Sequence, residues 1–220
     1  DKALQFVGTT EIAFSNGVMG DSYFLDEVTV INGALYAFVS HWEKAAGRHT
    51  LILHPLGSDG VLKEGTQLDL LTAEKMGNRG TYKWSFSPDG SKLLVLTELP
   101  FVKDTKEKLR MSCFELPGLA LAWKHEQALE VDANKALHNH AAVDNSGHAY
   151  LFKKIWAKPV WTYMLYATDG KGSWKAHRPK GLEGKQIEDH RLTVGPDGGC
   201  FLYALYTTEP SGVNKTVHGS

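Results

Sequence analysis

The chain has 220 residues, with 24 lysines and arginines against 25 aspartates and glutamates, a formal charge of −1. That balance disfavours a nucleic acid or an anionic membrane surface as partner, and the length allows one large domain or two small ones with a core that needs no staples. No apolar run approaches the ~18 residues of a membrane span, no signal peptide is visible, and the opening on Asp1 rather than Met reads as a processed product or a fragment.

Helical periodicity is nearly absent. Short runs rich in Val, Leu, Phe, Tyr and Thr alternate with Gly, Asp, Asn and Pro, which predicts many short antiparallel strands. The N-terminal segment, residues 1–20, carries LQFVGTTEIAF (Leu4 to Phe14). That strand would either close a ring on the outer edge of the last unit or end a preceding unit. Four units follow, at about 24–71, 82–131, 138–182 and 189–220. They open on VINGALYAF at Val30, FSPDGSKLLVL at Phe86, VDNSGHAYLF at Val143 and VGPDGGCFLYAL at Val194, each an apolar residue, a turn and a longer strand. The first three continue into a second hairpin, such as HTLILHPLGSDGVLKEGTQLDLL in the first. The last stops early at TTEPSGVNKTVHGS, without its two outer strands.

The turn glycines Gly33, Gly90, Gly147 and Gly198 are 57, 57 and 51 residues apart. A spacing that even points to propeller blades. The fold expected is therefore all-β: a single β-propeller domain or fragment of four-stranded antiparallel blades, strands A to D from the centre outward. One such sheet cannot bury both its faces, so sheets must stack. The four visible units would belong to a longer ring of six or seven blades, or a partner chain would complete the circle. The two cysteines, Cys113 and Cys200, fall in different strand-like runs with no CxxC spacing and read as buried free thiols.

The run Phe86-Ser87-Pro88-Asp89-Gly90-Ser91-Lys92-Leu93-Leu94 resembles the FSPDGxxL hairpin of TolB-like and WD-type propellers, and Val194 to Gly198 is similar to a second, weaker copy. Thr168-Asp169-Gly170-Lys171-Gly172-Ser173-Trp174 resembles a degenerate Asp-box, the turn between strands C and D in sialidase-like propellers, with Ala167 in place of its Ser and Lys171 in place of its Gly. His138 to Asp144 is similar to the innermost strand of some exported, sialidase-like polysaccharide-lyase propellers. These resemblances imply a periplasmic or extracellular location; for function they imply little, since propellers host binding modules and enzymes alike.

Aligning the units on Val30, Phe86, Val143 and Val194 places Asp26 and Glu27, Tyr82 and Lys83, His138, Asn139 and His140, and Asp189, His190 and Arg191 at the starts of the A strands. In a propeller these positions ring one mouth of the channel, the default place for a ligand site; the bland reading is a mouth that is polar because it is wet. His138 and His140, one residue apart on a strand, would point the same way, and with His190 they form a candidate metal set with Asp26 or Asp189 nearby. Structural histidines are the simpler reading, and HNH nuclease chemistry is rejected for want of its ββα fold. If the mouth were catalytic, His138, His140 or Tyr82 would take the C5 proton of a uronic acid, and Lys83 or Arg191 would stabilise the enolate. Hydrolysis would instead use two carboxylates among Asp26, Glu27 and Asp189. Ser40 to Glu43, Thr97 and Glu98 with Phe101, Lys153 and Lys154 with Trp156, and Tyr206 to Glu209 are expected in the B to C loops. There Trp42, Trp156 and Trp161 would offer stacking platforms. Trp84 reads as core, and Lys103 to Arg110 as a solvated loop.

Two functions follow. The first is a noncatalytic scaffold binding a protein or an extended ligand, with no cofactor. The second is an exported carbohydrate-active enzyme, a polysaccharide lyase or glycosidase, with a divalent metal as the alternative cofactor. For an enzyme, His138, His140, His190, Lys83 and Arg191 must converge in one cleft.

Overall fold

The computed structural model describes residues 9, 11, 21–158, 160–172, 174–208 and 218–219, the side chains of 136–138 and 218–219 excepted. Every regular element among them is a strand, apart from a short 3-10 turn at Met76–Asn78. The chain divides into two compact units, Asp1–Arg79 and Gly80–Ser220.

The first unit holds one antiparallel meander, sheet 1: β1 (Ser22–Ile31), β2 (Ala34–Glu43), β3 (Arg48–Pro55) and β4 (Thr66–Thr72). Its first turn is set by Asn32 and Gly33, both at positive φ (50° and 81°). This is the two-residue geometry that suits the twist of a hairpin, and Asn and Gly adopt it with least strain. Tyr36, Phe38, Ser40 and Trp42 alternate onto one face of β2 with Leu51 and Leu53 of β3 beside them, and Phe38, Trp42, Leu51 and Leu53 are buried.

The second unit holds three more meanders. Sheet 2 comprises β5 (Thr81–Phe86), β6 (Lys92–Glu98), β7 (Lys106–Glu115) and β8 (Ala120–Asp132). Sheet 3 comprises β9 (Ala136–Val143), β10 (Ala149–Ala157), β11 (Val160–Thr168) and β12 (Trp174–His177). Sheet 4 comprises β13 (Gln186–Val194), β14 (Cys200–Thr207) and the two-residue β15 (His218–Gly219). In sheet 2 the FSPDGS turn is tied locally. Asp89 Oδ1 accepts from Ser87 Oγ at 2.7 Å and from Ser91 N at 2.9 Å, so the carboxylate is held below its usual range by the two serines.

Within this unit the first strands lie beside one another: β9 packs against both β5 and β13. The period of two decides which neighbour each residue meets. Val143 and Ala141 join Leu94, Leu96, Leu109, Met111 and Leu151 in a core between sheets 2 and 3. Ala142, one residue away, joins Phe152, Tyr163, Ile187, Leu192 and Val194 in a core between sheets 3 and 4. Each fully buried leucine there contributes roughly 1.5–3 kcal/mol, so the cores, rather than the hairpins alone, hold the sheets together. Outer contacts add to them. On β8, Trp123 Nε1 donates to Gly147 O at 3.0 Å and His125 Nε2 lies 2.8 Å from Gly170 O, stapling sheet 2 to two turns of sheet 3.

Several expectations are corrected. Ser40 to Glu43, Thr97 and Glu98, Lys153 to Trp156, and Tyr206 with Thr207 are strand residues of β2, β6, β10 and β14, not loops, because those strands run longer than their polar ends suggest. Lys106 to Arg110 open β7, so only the start of the charged run is a loop. Sheet 4 gains a third strand in β15, where the sequence suggested two. Asp169 does sit in the β11–β12 turn, its Oδ1 accepting from Lys171 N at 2.9 Å, while Ser173 lies outside the described residues. So do Glu209 and all of Leu4 to Phe14 but Thr9 and Glu11. Cys113 and Cys200 are free, and burial raises each thiol to about 11. No described helix is long and apolar enough to cross a membrane.

Candidate functional site

The polar residues near the starts of β5, β9 and β13, the first strands of the sheets of the second unit, separate by face. On the side of β9 turned to sheet 2, Asn139 is the hub. Its Nδ2 donates to Glu98 Oε1 at 2.7 Å, its backbone oxygen accepts from Lys83 Nζ at 3.1 Å, and its Oδ1 accepts from Lys153 Nζ at 2.5 Å. Lys83 also pairs with Glu98 at 2.8 Å, and Lys153 pairs with Glu107. Thr81 Oγ1 takes the other Glu98 oxygen at 2.6 Å. Burial alone would raise the Glu98 carboxyl, but the hydrogen bonds from Lys83 and Thr81 outweigh it and hold the group below its usual range. Lys153, fully buried, is pushed below the usual lysine value by that burial against the opposing pull of Glu107. This cluster joins β5, β6, β7, β9 and β10. Tyr82 pairs with Thr97 on the opposite face of β5 from Lys83.

On the side of β9 turned to sheet 4, His140 is the hub. Its ring lies 5.5 Å from that of His190, edge to face, and His190 lies 4.8 Å from Phe152. Phe152 stacks on Tyr163 at 5.9 Å, and the Tyr163 hydroxyl bridges sheets 3 and 4, donating to Lys185 O and accepting from Ile187 N, each at 2.9 Å. Burial, then the charges of Lys83 and Arg191, lower the His140 pKa, with Asp189 opposing, so its imidazole is neutral at physiological pH.

Asp189 and Arg191 flank His190 on β13 and so occupy the other face of sheet 4, with Thr193, Phe201, Tyr203 and Leu205. The expected ring of His140, His190, Lys83 and Arg191 is thus divided: Lys83 belongs to the first cluster, the histidines to the second, and Arg191 to a third surface. His138 is skipped in the β9–β10 ladder, where Lys153 pairs with Asn139 and Lys154 with Leu137. A bulge therefore interrupts the ladder at His138, and the His138 side chain lies outside the described residues. Among the described residues no three His, Cys, Asp or Glu side chains are placed to hold a metal ion.

In the first unit Asp26 occupies a bulge between Leu25 and Glu27 of β1. Burial raises its carboxyl above the usual range despite hydrogen bonds with Ser40. Trp42 is 3% exposed and presents no ring face to solvent, a correction to its expected role as a stacking platform. Trp156 and Trp161 remain accessible, their rings 4.8 Å apart across adjacent strands, with Lys154 Nζ 4.5 Å above the Trp161 ring.

A groove of about 1000 Å³ on the second unit, between sheets 2 and 3, was not anticipated by any motif. Its apolar lining includes Leu129, Val131, Ile155, Met164, Tyr166, Trp174 and Trp156, and its charged lining includes Lys106, Lys135, Lys158 and Arg178 with Glu130 and Asp132. Its components come from strands whose proximity no local pattern encodes; Trp156, expected as a stacking platform, was the one available signal. No known family model matches the chain, and comparison with curated proteins finds no match.

Proposed function

We propose that the four meanders are blades of a β-propeller that serves as a noncatalytic scaffold, binding a protein or an extended ligand across its inner-strand mouth. The observation that carries this reading is the division of the inner-strand polar residues among successive intersheet surfaces. Lys83, Asn139, Glu98, Lys153 and Glu107 are engaged with one another, and His140 meets His190, which packs against Phe152, so these groups tie sheets together. A catalytic centre needs its groups aimed at one reacting atom. In the second unit the first strands of successive sheets lie side by side, which is also what radial stacking requires. Export to the periplasm or the extracellular space belongs to this proposal through the propeller resemblance.

The second reading, a polysaccharide lyase, is favoured by one observation: His140 is held neutral beside the charges of Lys83 and Arg191, the state a general base for uronate β-elimination requires. The test is incubation of the purified chain with a panel of acidic and neutral polysaccharides, recording anisotropy of labelled oligomers and ultraviolet absorbance of unsaturated products. Binding without product supports the scaffold. Product that disappears in His140→Ala overturns it in favour of the lyase.

A further inference from the structure

Sheet 3 has an open edge that lies between two cavities. β12 covers only part of β11: their ladder runs from Thr168 opposite Trp174 to Leu165 opposite His177 and stops there. Beyond His177 the chain is no longer strand, and Leu182 packs into the core between sheets 3 and 4. Among the described residues, no backbone hydrogen bond reaches residues 160–164 from the side away from β10. Such a row of unpaired main-chain groups is a template for another strand.

The period of two sends successive side chains of this edge to opposite faces. Met164 joins the core toward sheet 2, while Trp161 and Tyr163 join the core toward sheet 4. A cavity opens on each face. The groove of about 1000 Å³ lies toward sheet 2, and a smaller cavity of about 180 Å³, lined by Val160, Trp161, Tyr163, Pro179 and Leu182, lies toward sheet 4. Thr162 and Arg178 line both, so the two cavities meet at the open edge. An unpaired edge with an apolar pocket on either face suits an extended peptide, whose main chain pairs with the edge while its side chains enter the two pockets in turn. No residue of β5, β9 or β13 lines either cavity, so this surface is separate from the mouth proposed above.

Charge selects the peptide. Four cations line the groove against two carboxylates. Lys106 and Lys135 share Asp132, at 3.1 and 2.8 Å, whereas Lys158 and Arg178 have no ion-pair partner among the described residues. Lys158 stands just before the open stretch of β11, and Arg178 follows His177, the partner of Leu165, at its other end. A cation thus stands at each end of the edge.

We infer that residues 160–164 pair with an extended segment of a partner protein, apolar in its middle and acidic at both ends, which adds a strand to sheet 3 in line with β12. The main chain supplies the affinity, the two cavities receive alternate side chains, and Lys158 and Arg178 choose acidic ends over basic ones.

The test is fluorescence anisotropy of the full chain with three labelled peptides: Asp-Glu-Leu-Val-Phe-Val-Leu-Glu-Asp, the same peptide with Lys at its four acidic positions, and the acidic peptide N-methylated at every apolar residue. The acidic peptide should bind saturably and at least tenfold more tightly than the other two. K158E/R178E should weaken it at least tenfold and strengthen the basic-ended peptide, a gain that also shows the variant to be folded. K171E, at the opposite end of β11 and β12, should leave both affinities unchanged. The absence of saturable binding overturns the proposal, as does equal binding of the N-methylated peptide, which would make the groove a site for apolar side chains alone. Indifference to the charge reversal overturns it as well. The polysaccharide assay reads the mouth and this one reads sheet 3, so either proposal can fail while the other stands.

Discussion

Lys153 on β10 donates to Asn139 Oδ1 on β9 at 2.5 Å with its side chain wholly excluded from water, and its counter-ion is Glu107 on β7. Removing one member of such a pair strands the other. Lys153→Ala should therefore cost about 3–5 kcal/mol, whereas the double replacement Lys153→Met with Glu107→Leu should recover most of that loss. Urea denaturation of the three proteins measures both effects.

His49 sets a pH dependence in the first unit. Burial, then the charge of Arg79, lowers its pKa from 6.5 to about 4. The unfolded chain takes up a proton below about 6.5, which the folded chain refuses until about 4, so this group makes stability fall as pH drops through that window. Below about 4 its contribution is constant. The full penalty is at most about 3 kcal/mol, and His49→Gln should remove it from the acid limb of urea midpoints measured between neutral pH and about pH 4.

Two glycines separate backbone strain from contact. Gly33 has φ of +81° and open space within 4 Å of where a Cβ would stand, so Gly33→Ala should cost only the left-handed penalty, about 1–2 kcal/mol. Gly170 has φ of +76°, and its Cβ would stand 2.4 Å from Trp123 Cδ1. Gly170→Ala should thus cost more than Gly33→Ala by about 1–2 kcal/mol, and Trp123→Ala should remove the difference in a double-mutant cycle.

Tyr163→Phe keeps the stack on Phe152 but leaves the buried Ile187 N–H without its acceptor. Unfolding free energy should fall by about 1–3 kcal/mol. Amide hydrogen exchange at Ile187 should accelerate in the same variant.

The hairpins are legible because turn chemistry is local: Asn32-Gly33 and Asp89-Gly90 announce their turns in two residues. The orientation of the inner residues is also encoded, since Asp189, His190 and Arg191 must alternate faces on a strand, and grouping them at one converging point overlooks that alternation. Lys153 reads as a loop residue because lysine is seldom buried. Its partner Glu107 lies 46 positions away, inside a run that reads as solvated, so no local pattern links the two. The His138 bulge and the apolar groove likewise arise from pairing between distant segments.

The most direct test of a structural role for the polar residues of β5, β9 and β13 is equilibrium unfolding of Asn139→Ala, which removes hydrogen bonds to Glu98 and Lys153 together. A loss of about 2–4 kcal/mol is expected, since two charged groups lose a buried partner. Unchanged or increased stability would contradict the account, because groups held for function rather than for folding are the ones whose removal relieves strain.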